Sequence, residues 1–70
     1  MKNIKYIIYK EGNYYVSQCL NADVSSFGET IEEAKDGLME ALSLYFEGKD
    51  SQNDFLPINE AMLGENTINI

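Results

Sequence analysis

Two runs near the N-terminus, IKYIIYK at residues 4–10 and YYVSQCL at residues 14–20, are dense in β-branched and aromatic residues, and only Glu11, Gly12 and Asn13 separate them. Such side chains suit a pleated, half-buried surface, while glycine and asparagine tolerate the positive φ that a tight reversal demands. The pattern predicts a β-hairpin. A shorter extended run at residues 24–27, after Asn21, Ala22 and Asp23, adds a third strand in meander order.

From Thr30 onward the spacing changes. Ile31, Ala34, Leu38, Ala41, Leu42 and Tyr45 fall within about 100° of arc on a wheel of roughly 3.6 residues per turn, which predicts one amphipathic helix. Thr30 and Glu33 form a capping box, in which the Thr hydroxyl accepts from the Glu33 N–H and the Glu33 carboxylate accepts from the Thr30 N–H. Gly48 follows Glu47 where a helix often ends in a left-handed residue. Gly37, in mid-helix, costs about 1 kcal/mol against alanine, so a neighbouring backbone is expected to pass close by.

Beyond the helix, residues 48–55 are polar and turn-rich, as a flexible linker would be. LPINEAML, at residues 56–63, is ambiguous: Pro57 stops anything before it, and the rest fits one helical turn closed by Gly64. NTINI, at residues 66–70, alternates as an edge strand would. Residues 1–70 are therefore expected to form a single α+β domain, a small antiparallel sheet with one helix packed on one face, in the order β-β-β-α-β.

A chain of 70 residues buries only about 60% of its unfolded surface, so its core is marginal and a partner would steady it. Its 12 Asp and Glu against 5 Lys and Arg give a net charge of −7, which repels phosphate backbones. Direct binding to nucleic acid or an anionic membrane is not expected, and basic proteins are the natural partners. Solubility alone is the simpler explanation of the same acidity. MKNIKYIIYK is too charged for a signal peptide or a membrane span, which points to the cytoplasm.

Catalysis finds little to build on. The chain has no histidine, which removes Ser-His and Cys-His nucleophile pairs and every histidine metal site. Neither long strand carries an interior Asp or Glu of the kind that gathers two metal ions, and there is no phosphate-cradling glycine loop. Cys19, the single cysteine, lies in an apolar run and is expected to be a small core residue in a reducing compartment. The expectation is a protein that is not an enzyme and uses no cofactor or metal.

Two surfaces remain as candidates. Glu33, Asp36, Glu40 and Glu47 line up opposite the apolar stripe of the helix with Glu32 at the edge, whereas Lys35 lies near the apolar side. Asp36 and Glu40 repel each other at i and i+4, where a solvating face would intersperse lysines, so Glu32, Asp36, Glu40 and Glu47 are candidates for binding a basic partner. A merely solvated face fits too. Tyr6, Tyr9, Tyr14 and Tyr15 lie on the strands, and one helix covers only one face of the sheet. Tyr9 and Tyr15, extended by Met39, Leu44 and Phe46 from the helix flanks, are the candidates for self-association into a homodimer; ordinary cross-strand packing is the alternative.

With those residues in view, the sequence resembles the HicB-like antitoxins of toxin–antitoxin pairs. The resemblance rests on YYVSQCL and then FGETIEEAKDGLMEALSLYFE, covering about residues 6–47, with Gly28, Thr30, Glu32, Glu33, Ala34, Leu38, Glu40, Ala41, Leu42 and Tyr45 at the family's positions. It implies a partial RNase H-like fold without the nuclease carboxylates. It also implies a function, neutralising a small basic HicA-like ribonuclease toxin by protein–protein contact, with acidic side chains standing where RNA phosphates would. Two features depart from the family. LNADVSS replaces the proline- and glycine-containing turn of many relatives, and no basic segment follows that would bind an operator. The competing class is a dimerising structural, regulatory or ligand-binding module with no toxin.

Overall fold

The computed structural model describes residues 3–47 and 55–69. Strands β1 (Tyr6–Glu11), β2 (Tyr14–Cys19) and β3 (Ser25–Gly28) precede a helix, α1 (Ile31–Tyr45). The sheet is antiparallel in the order β1-β2-β3, as a meander requires. Glu11 pairs with Tyr14, so the hairpin turn is the two residues Gly12 and Asn13. Gly12 has φ 62° and Asn13 is not left-handed, the arrangement of a type II′ turn, whose twist matches that of the flanking strands.

Side chains alternate across a strand, and the register sorts them into two faces. Tyr6 lies opposite Cys19, Ile8 opposite Ser17 and Lys10 opposite Tyr15, while Ser17 and Tyr15 lie opposite Ser26 and Gly28 on β3. This set looks toward α1, because the buried Ser17 Oγ donates to the Ala34 carbonyl at 2.7 Å. Ile7, Tyr9, Glu11, Tyr14, Val16, Gln18, Ser25 and Phe27 look the other way. Among the described residues no helix lies over that second face.

The helix begins as the sequence predicts, with an extended Thr30 whose side chain accepts from the Glu33 N–H at 3.1 Å. The reciprocal bond differs: the Glu29 N–H, and not that of Thr30, donates to the Glu33 carboxylate at 3.0 Å. Both amides precede the first intrahelical bond, and the glutamate side chain reaches the earlier one. The helix ends at Phe46, a right-handed cap whose N–H donates to the Leu42 carbonyl at 3.0 Å. The expected left-handed terminus, Gly48, lies outside the described residues.

Ala34, Leu38 and Leu42 are buried on the inner side of α1, and Leu38, Leu42, Cys19 and Ala22 make the core. Ile31, which the helical wheel places in the stripe, is 54% exposed. The helix sits chiefly over β3 and β2 and touches β1 least. Its closeness to β3 depends on two glycines. A Cβ on Gly28 would lie 2.6 Å from the Glu33 Cβ and 2.7 Å from the Ala34 N, and one on Gly37 would lie 2.6 Å from the Ser26 Oγ.

After α1 the sequence expectation needs correction. Residues 55–69 contain neither a helical turn over LPINEAML nor a strand at NTINI, so the described order is β-β-β-α. A strand exists only as part of a ladder, and this stretch meets no neighbouring strand in its own chain. The linker at 48–54 and Ile70 lie outside the described residues. What holds the C-terminal segment is Asn21, 1% exposed. Its Oδ1 accepts from the Lys5 N–H at 2.7 Å, its Nδ2 donates to the Leu56 carbonyl at 2.7 Å, and its own carbonyl accepts from the Leu56 N–H at 2.8 Å. The radius of gyration is 13.7 Å, against about 11 Å for a compact chain of this length.

Candidate interaction surfaces

The first surface is the outer side of α1. Glu32, Asp36 and Glu40 are exposed there, and Glu47 is exposed in the turn beyond it. Among the described residues none of their four carboxylates accepts a hydrogen bond or is joined to a lysine. Glu33, in the same row, is committed to the cap through the Glu29 amide. The ridge follows from helical geometry alone: once Ala34, Leu38 and Leu42 face the sheet, positions about half a turn away must face water. Glu32 and Glu33 in the first turn also match the positive end of the helix dipole. Asp36 and Glu40 do not gain in that way, and no basic residue stands in the last turn. The arrangement is a strip of one charge on a rigid element, suited to a cationic surface.

The second surface is the open face of the sheet. Tyr9 is 44% exposed, Tyr14 39% and Phe27 71%, with half-buried Ile7 and Val16 between them. Tyr14 and Phe27 meet edge-on, with ring centroids 5.7 Å apart. Glu11 is the one charged side chain on this face within the strands, and it accepts a hydrogen bond from the Tyr14 hydroxyl at 3.3 Å. The carboxylate raises the phenol above its ordinary value by its charge and by holding the proton.

The five residues predicted for self-association do not come together. Tyr9 is on the open face, but Tyr15 is on the helix face, half-buried, its ring centroid 6.0 Å from Lys10 Nζ. Met39 and Phe46 pack against the core, and Phe46 also meets Tyr45 and Phe55. Leu44 is 64% exposed on the helix, on the other side of the sheet from Tyr9. Tyr14, Phe27, Ile7 and Val16, which lie on the open face with Tyr9, are not among the five. Period two supplies the signal: with Cys19 in the core, Tyr15 must point inward and Tyr14 outward.

Among the described residues no group of three or more Cys, Asp or Glu side chains could hold a metal ion, and no helix is long and apolar enough to cross a membrane. A broad cleft of about 610 Å³ opens between the end of β2 and Tyr45, with buried Cys19 and exposed Asp23 in its wall. Compared with known protein families, curated proteins and solved structures, the chain matches none.

Proposed function

We propose that this chain is a non-catalytic binding protein of the antitoxin kind, which neutralises a small basic ribonuclease toxin of the HicA type by covering its RNA-facing surface. The observation that carries the proposal is the acidic strip of Glu32, Asp36 and Glu40 on the exposed side of α1 and Glu47 in the turn beyond it, whose carboxylates have no partner among the described residues. Carboxylates at helical spacing offer a cationic RNA-binding surface the charge it is built to receive, and the net charge of −7 would hasten the encounter. The resemblance of residues 6–47 to the HicB-like pattern supports the same reading. A homodimer belongs to the proposal, favoured by the weakly charged apolar face of Tyr9, Tyr14 and Phe27. The partial RNase H-like fold and the cytoplasmic location belong to it as well.

The test is a pull-down with the tagged chain from lysate of its native source, at low and high salt, with bound proteins identified by mass and assayed for RNA cleavage. The expected result is one small basic protein, released in part by salt, whose cleavage of RNA stops when the chain is added back. Reversing Asp36 and Glu40 to lysine should weaken that complex by about tenfold or more and flatten its salt dependence, with the melting curve of the chain little changed. Unchanged affinity would remove the strip as the interface. A second reading, a self-associating module without a toxin, gains from the open sheet face and would be favoured if only the chain itself is recovered.

A further inference from the structure

Past its anchor on Asn21 the C-terminal segment is exposed apart from half-buried Ile58. Leu56 is 65% exposed, Met62 90%, Leu63 84% and Ile68 72%. Residues 57–69 make no hydrogen bond among the described residues. Leaving Leu56, Met62, Leu63 and Ile68 in water forgoes their burial, and the segment contains no proline after Pro57 that would bar it from a ladder.

A matching edge exists on the same molecule. The Leu20 N–H donates to the Lys5 carbonyl at 2.9 Å, so by alternation Lys5, Ile7, Tyr9 and Glu11 bond to β2. Tyr6, Ile8 and Lys10 therefore turn their N–H and C=O groups to the outer edge, where no strand pairs with them among the described residues. Strand β1 is also the one that α1 covers least. The other edge, β3, is flanked by Asp23 and Glu29, whereas β1 carries Lys10 and Glu11 and is preceded by Lys5, a net positive edge. The segment carries Glu60 and Glu65 and no basic residue, so charge selects β1 over β3.

We propose that residues 63–69 are an exchange arm that adds as a fourth strand to the outer edge of β1 in a second copy of this chain. The arm leaves beside the start of its own β1, where Ala61, Met62 and Leu63 share a cleft with Tyr6, Ile7 and Leu20. In its own chain residues 61–69 are all exposed. A reciprocal exchange closes on itself as a two-fold dimer, capping both β1 edges and leaving no free arm to propagate the exchange. The inference deepens the homodimer part of the proposed function and does not depend on the basic partner.

The experiment is light scattering on the full chain over a concentration series, together with intermolecular NOEs in an equimolar mixture of isotopically labelled and unlabelled chains. The expected result is a dimer with NOEs between arm amides and those of Tyr6, Ile8 and Lys10 across the two chains. Because the arm makes no hydrogen bond to its own body, L63S with I68S should leave the monomer folded and raise the dimer dissociation constant by about tenfold or more, while L44S should not change it. A dimer indifferent to L63S and I68S, with NOEs through Tyr9 and Phe27, would overturn the arm and leave the homodimer standing. A monomer at all concentrations, with or without arm contacts inside one chain, would overturn both.

Discussion

Gly28 and Gly37 look alike in the sequence and do different work. Neither has positive φ, so each serves by what it lacks, a Cβ at the contact between α1 and β3. At Gly28 the added carbon would meet the backbone N of Ala34 at 2.7 Å, which cannot move without shifting the first turn. At Gly37 the obstacle at 2.6 Å is the hydroxyl of Ser26, which can rotate, and the nearest backbone atom is 3.9 Å away. Gly28→Ala is therefore expected to cost about 1–3 kcal/mol, as overpacking does. Gly37→Ala should fall within about 1 kcal/mol of the parent, because the gain in helix propensity offsets the displaced hydroxyl. Combining it with Ser26→Ala should turn the balance to a net gain. Urea denaturation of the three variants checks the order. The sequence anticipates a close approach at Gly37 but not that a side chain makes it, since spacing along one strand says nothing of what lies across from it.

The hairpin and the helix form from signals contained within themselves: residue type and a Gly-Asn turn for the first, a cap and a stripe for the second. Both were legible for that reason. The acidic strip was legible too, as the complement of the stripe. The open sheet face was only half legible, since Tyr9 was placed on it correctly and Tyr15 was not, the parity of β2 being set by Ser17 and Cys19 against α1. The C-terminal segment has no internal signal strong enough to make an element, and Asn21 decides where it lies. Asn21→Ala should leave the Lys5 N–H and the Leu56 carbonyl without their partners and cost about 1–3 kcal/mol. Hydrogen exchange should show the loss first at the Lys5 amide and the Leu56 amide, with the helix interior following only as global stability falls. Equal acceleration everywhere would mean that the clip is not a local device.

The net charge of −7 acts on the fold and on its partner in opposite directions. Self-repulsion among carboxylates weakens the compact state, and salt screens it; attraction to a basic surface strengthens a complex, and salt screens that as well. Raising ionic strength should accordingly lift the melting temperature of the isolated chain while loosening its complex with a basic protein. Calorimetry of the chain and a binding titration over the same salt series would show the two trends, and parallel trends would argue against charge as the source of affinity. Strand and helix identity, the cap, and the excess of acid were determined by order along the chain, because each depends on neighbours a few residues apart. Which tyrosines face water, where α1 sits, and that Asn21 ties Lys5 to Leu56 depend on residues up to 35 apart in sequence, and only packing brings those together.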